Sequence, residues 1–139
     1  MSKMKNIEYI GNSFLFVSTT TNIKLPDLSK LTEIKNNFIS SSITSIDIDT
    51  AINVETIGTG FLRNIEALKT VNLSSLRNVK TVGADFIGNN YKLTSADLSN
   101  MVKLENVGEK FMQYGAETIK LYKVPNVPDN NSFSWSHII

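Results

Sequence analysis

Five phenylalanines, Phe14, Phe38, Phe61, Phe86 and Phe111, recur at intervals of 24, 23, 25 and 25 residues, and each is followed by another apolar side chain. A period of about two dozen residues marks a chain wound into similar coils, because one coil cannot bury its apolar side alone and must stack on the next. The phrase around the phenylalanine recurs too: Ile10-Gly11-x-x-Phe14, Ile57-Gly58-x-x-Phe61, Val82-Gly83-x-x-Phe86 and Val107-Gly108-x-x-Phe111. Each full unit has apolar slots at offsets 0, 3, 5, 8, 11, 14 and 18. Three successive units starting at Ile43, Leu68 and Leu93 fill all 21 of them. At 41% apolar composition, that filling arises by chance on the order of 10⁻⁸ of the time before frame choice.

Apolar residues at offsets 3 and 5, with polar ones between, have the period of a strand buried on one face. The segments Ile23-Lys24-Leu25, Ile46-Asp47-Ile48, Val71-Asn72-Leu73, Ala96-Asp97-Leu98 and Ile119-Lys120-Leu121 therefore predict a parallel sheet of about five short strands, about 4.8 Å apart. The other side should hold turns, short strands or 3₁₀ pieces and little helix, since a unit this short has no room for a strand and a substantial helix. Gly11, Gly58, Gly83 and Gly108 share one slot, which requires either a positive φ or a place with no room for a β-carbon. Lys35 stands in that slot in the first full unit, so strain or a different turn is expected there. A single domain over 1–139 follows: residues 1–19 form an N-terminal half repeat and cap, 20–115 four repeats, and 116–139 a degenerate fifth repeat and cap. In the fifth, Asn130 and Ser134 fall on the last two slots and the pattern decays.

The Leu93-x-x-Ala96-x-Leu98 core and the Ile/Val-Gly-x-x-Phe phrase resemble leucine-rich repeats, and within them the BspA-like (treponemal) class of about 23 residues. The resemblance implies a leucine-rich-repeat solenoid with a concave parallel sheet. Members similar to this chain imply an extracellular, adhesive role. Two departures stand out: Leu28, Ala51, Leu76 and Met101 replace the Asn or Cys usual after the strand, and no Cys follows the phenylalanines.

Fourteen basic and thirteen acidic side chains leave a net charge of +1, which gives no bulk attraction for nucleic acid. No run of the sequence is apolar enough for a signal peptide or a membrane span. With no cysteine there is no disulfide or thiolate metal site. These features favour a cytoplasmic or host-delivered protein, with a surface or secreted location if a leader has been removed.

Side chains alternating with the buried strand residues form a candidate binding face. Its central column is Lys24, Asp47, Asn72, Asp97 and Lys120. Beside it run Pro26, Asp49, Ser74, Ser99 and Tyr122 on one flank and Asn22, Ser45, Thr70, Ser95 and Thr118 on the other. Asp47 and Asp49 sit two apart on one strand, with carboxylates roughly 6–7 Å apart. They could join Asp97 around a cation or act as acid and base. A flat sheet supplies too few oxygens for a hard cation, and no metal or cofactor is expected. His137, the only histidine, falls outside the repeat, and no glycine-framed nucleophile or phosphate loop accompanies it. Asn72-Leu-Ser74 and Asn130-Asn-Ser132 match glycosylation sequons, a pattern short enough to arise by chance.

Phe133 and Trp135 are expected to form a capping strand, with Trp135 as the alternative aromatic anchor for a partner. The resulting expectation is a non-enzymatic module that binds a protein partner through the concave face. A small intracellular inhibitor from a phage or host-interaction system, and a fragment of a surface adhesin that binds host protein or glycan, are the alternatives. Open sheet ends could also support self-association.

Overall fold

The computed structural model describes residues 6–16, 22–40, 42–134 and 136–139. In chain order these carry twelve short strands: β1 (Leu15–Phe16), β2 (Asn22–Lys24), β3 (Glu33–Ile34), β4 (Ile39–Ser40), β5 (Ser45–Asp47), β6 (Thr56–Ile57), β7 (Thr70–Asn72), β8 (Thr81–Val82), β9 (Ser95–Leu98), β10 (Asn106–Val107), β11 (Thr118–Leu121) and β12 (His137–Ile138). All pairings are parallel, and no helix occurs among the described residues. The chain is a β-solenoid. Each coil contributes equivalent residues to ladders that run along the stack.

The front ladder holds the strands that the period-two pattern predicts. It differs from the expectation in two ways. It has six strands where about five were expected, and it is divided into β2-β5-β7 and β9-β11-β12. β7 and β9 lie side by side but are not joined as a ladder. Val71, beside this seam, is only half-buried, whereas Ile23, Ile46, Ala96 and Ile119 at the same slot are buried. A second ladder runs β3-β6-β8-β10 and aligns Ile34, Ile57, Val82 and Val107. A third pairs β1 with β4 and continues through a bridge from Ile39 to Leu62.

The core between the ladders is organised by the recurrent phenylalanine. Phe14, Phe38, Phe61, Phe86 and Phe111 stack with ring centroids 5.6, 5.3, 5.1 and 5.3 Å apart and nearly parallel planes. The residue before each ring takes the left-handed conformation: Ser13, Asn37, Gly60, Asp85 and Lys110 have φ between 51° and 72°. This bend recurs at the entry to every phenylalanine slot.

Crowding explains the shared glycine slot. None of its glycines has a positive φ, but a β-carbon on Gly83 would lie 2.6 Å from the Thr59 backbone nitrogen and 2.7 Å from the Gly58 carbonyl carbon. At Gly11 a β-carbon would meet nothing nearer than the Tyr9 ring at 3.7 Å. Gly83→Ala should therefore cost about 1–3 kcal/mol from overpacking, more than the 0.4–1 kcal/mol that a compatible Gly→Ala change gains through the unfolded chain. Gly11→Ala should be neutral or slightly stabilising. Urea midpoints of the two variants check the contrast. Lys35 shows no left-handed strain; it follows only the partial first coil, and its ammonium pairs with Glu33 at 2.7 Å.

The C-terminal coil corrects two expectations. Asn126 bridges Asn106, which sets Val127 opposite Val107, three residues out of the sequence-derived register. The Met112 amide then bonds to the Ser132 carbonyl, as Leu62 bonds to Phe86 and Ile87 to Phe111 in the coils before it. Buried Ser132, not Ser134, thus holds the phenylalanine position. Phe133 lies in a turn, not a strand, and closes the aromatic stack edge-on against Phe111 at 5.8 Å. The capping strand is instead β12. It brings His137 into the front ladder opposite Thr118, so that histidine belongs to the repeat.

Candidate functional site

The strand register brings most of the candidate face together. Asp47 on β5 lies between Lys24 on β2 and Asn72 on β7, and Asp97 faces Lys120 across β9 and β11. The two groups meet at the seam between β7 and β9. For Lys24 the backbone position is described but the side chain is not; Trp135 lies outside the described residues.

Short-range bonds hold the exposed polar groups in place. The Asn72 amide donates to Asp47 Oδ1 at 2.8 Å, and Asn72 Oδ1 accepts from the Ser74 amide at 3.0 Å. Asp97 Oδ1 likewise accepts from the Ser99 amide at 2.9 Å and from the Ser99 hydroxyl. Both are Asx turns, in which a side chain two residues back satisfies a backbone donor just past the strand. The same Asn/Asp-x-Ser spacing in consecutive units was the signal in the sequence, and it gives Asn72-Leu-Ser74 a structural reading.

The Ser99 hydroxyl and then the Ser99 amide hold the Asp97 carboxyl below its ordinary value, and Lys120 adds a smaller pull in the same direction. Asp97 is thus kept anionic. Its ion pair with Lys120 spans 3.9 Å between side chains that are 63% and 57% exposed, so it contributes at most about 1 kcal/mol to stability. Both charges remain open to a partner.

Other candidate residues sit off the strands. Asp49 is exposed two residues beyond the end of β5, so it does not share a strand with Asp47 as expected. Tyr122 follows β11 in a bend, 63% exposed. Pro26 is buried and not part of the face: its carbonyl accepts from Thr50 Oγ1 at 3.4 Å, and that same hydroxyl oxygen accepts the Leu28 amide at 2.9 Å. Sequence reasoning missed an aromatic pair, exposed Tyr91 and half-buried Tyr114, whose rings lie 5.8 Å apart. Neither residue occupies a repeated apolar slot, so the periodic pattern gave no signal. Among the described residues no group of three or more His, Cys, Asp or Glu is placed to hold a metal ion, and no helix is long and apolar enough to cross a membrane.

Stacked parallel coils of 23–25 residues with a single-phenylalanine spine define a leucine-rich-repeat solenoid. The model of the BspA type leucine-rich repeat region matches residues 2–135 in six copies, and the chain belongs to that family. No curated protein and no solved structure gives a significant match. Membership in this repeat family points to an interaction domain.

Proposed function

We propose that the chain is a non-enzymatic module that binds a protein partner across the front ladder, with Asp47, Asn72, Asp97 and Lys120 at its centre, Lys24 at the N-terminal end of the same row, and Asp49 and Tyr122 at its margin. The observation that carries this reading is the in-register row of polar side chains, already restrained by the Asn72–Asp47 bond and the Asx turn at Asp97. A surface so organised gives up little conformational entropy on docking, which leaves more of the contact energy as affinity. The repeat family supports the same reading, and the sequence offers no nucleophile motif to support chemistry.

The test begins with a partner captured and identified from cells that contain the protein. Combined Asp47→Lys, Asp49→Lys and Asp97→Lys should weaken that partner's affinity at least tenfold, about 1.4 kcal/mol. Glu33→Lys on the second ladder should leave it unchanged. Equal affinity for the triple variant and the unmodified protein would remove the front ladder from the interface.

A further inference from the structure

The coils that begin at Leu68 and Leu93 are bonded to each other on two of their three sides. On the second ladder β8 pairs with β10, and the Gly108 amide donates to the Val82 carbonyl at 2.9 Å. On the third side the amides of Ile87, Asn89 and Asn90 donate to the carbonyls of Phe111, Gln113 and Tyr114 at 3.2, 3.0 and 2.9 Å. Between these sides Phe86 and Phe111 stack with their planes 11° apart. The front is different. At its other junctions the Thr70 amide bonds to the Thr44 carbonyl, Ile48 to Asn72 and Thr118 to Thr94, but the equivalent bonds across the seam, Ser95 to Lys69 and Leu73 to Asp97, are not made. The polar row divides at the same place. Asn72 bonds back to Asp47, Asp97 pairs forward with Lys120, and no side-chain bond joins Asn72 to Asp97.

The sequence supplies a cause. The front column holds Ile23, Ile46, Val71, Ala96, Ile119 and Ile138, and its two smaller side chains stand on either side of the seam. Apolar attraction scales with the area buried, so this front junction has the least to hold it shut. Val71 is accordingly half-buried. We infer that the seam is a hinge built into the solenoid: the strand groups β2-β5-β7 and β9-β11-β12 part at the front, while the second ladder, the third side and the phenylalanine stack hold the same two coils together behind. Close-packed coils resist deformation, so bending concentrates where cross-links are fewest. Each half of the polar row moves as a unit, and opening lengthens the separation between Asn72 and Asp97, which lets the front face change its curvature. The inference rests on the fold alone and stands whether or not that face is the docking surface.

Pairs of spin labels on introduced cysteines test it, since the chain has no cysteine of its own. Thr70→Cys with Ser95→Cys spans the seam. Ser95→Cys with Thr118→Cys spans the bonded front junction beside it, and Thr81→Cys with Asn106→Cys spans the same two coils as the seam but at the second ladder. All of these side chains are exposed except half-buried Thr118. Dipolar EPR on the frozen full chain reads the population of distances whatever the rate of opening, and circular dichroism melts verify that each labelled chain folds. The distance spread of the seam pair should be at least twice that of either control. Val71→Ile, which gives the seam the side chain of the neighbouring strands, should narrow the seam pair and leave both controls as they were. A narrow spread at the seam, even about a longer mean distance, would overturn the inference, because a fixed gap is not a hinge. An equally broad spread at all three pairs would overturn it too, since the motion would then not be confined to the seam.

Discussion

Replacing Phe86 by alanine is expected to cost about 3–5 kcal/mol and to lower the melting temperature by roughly 10–20 °C. The ring is fully buried in the middle of the stack, 5.1 Å from Phe61 and 5.3 Å from Phe111. Its loss removes two aromatic contacts, each adding about 0.5–1.5 kcal/mol beyond the area they bury, and leaves a cavity that rigid neighbouring coils cannot close. Against a total stability of about 5–15 kcal/mol this is a large fraction of the margin. In a solenoid each coil is held mainly by its neighbours, so a central gap also uncouples the two halves. Phe14→Ala, at a half-buried position that stacks on Phe38 alone among the described residues, should cost markedly less. Thermal melts of the two variants, followed by circular dichroism, check the ranking, and a broadened or two-step transition for Phe86→Ala reports the uncoupling.

Asn90→Ala should cost roughly 2–5 kcal/mol. Asn90 is fully buried and links two coils: its amide nitrogen donates to the Leu62 carbonyl at 2.7 Å, and its Oδ1 accepts the Ile65 amide at 2.8 Å. Alanine would leave both backbone groups without these partners inside the protein, at about 1–3 kcal/mol each. The equivalent positions in adjacent units are Ile65 and Gly115, so no repeated polar slot advertises this bond. Urea denaturation measures the loss, and Asn78→Ala should cost less, because at this half-buried site only the bond to the Ile52 carbonyl involves a backbone group and the other, from Lys103 Nζ, is exposed.

Where coils repeat faithfully, the structure was legible in the sequence. The phenylalanine spacing and the alternation around Ile46, Ala96 and Ile119 specify the stack and the strand faces, because any other winding would expose apolar side chains at regular intervals. Legibility fails where the repeat is broken. The last coil is shortened, by three residues at Val127 and two at Ser132, which stands where an aromatic ring stood, so the register drifts and β12, with His137, reads as tail. The left-handed position before each phenylalanine is hidden for another reason. Ser13, Asn37, Gly60, Asp85 and Lys110 share a backbone shape but no side-chain chemistry, whereas the crowded slot at Gly58, Gly83 and Gly108 shows itself because only one residue fits.

The candidate face was legible as a set of positions and less so as a set of interactions. Asp47, Asn72, Asp97 and Lys120 fall where alternation puts them, but Asp49 and Tyr122 lie past the strand ends, where alternation no longer governs. Exposed side chains make few internal contacts, so the fold constrains their identity weakly. The identity of the partner therefore has no counterpart in the apolar pattern.

The chain contains no cysteine, so single thiols can be placed at chosen exposed sites. Thr70→Cys and Ser95→Cys mark the front ladder on either side of the seam, and Thr81→Cys marks the second ladder. Thiol-alkylation rates with and without saturating partner then locate the interface. The expected result is at least tenfold slower labelling at positions 70 and 95 with no change at 81; protection at 81 with positions 70 and 95 still freely labelled would contradict it.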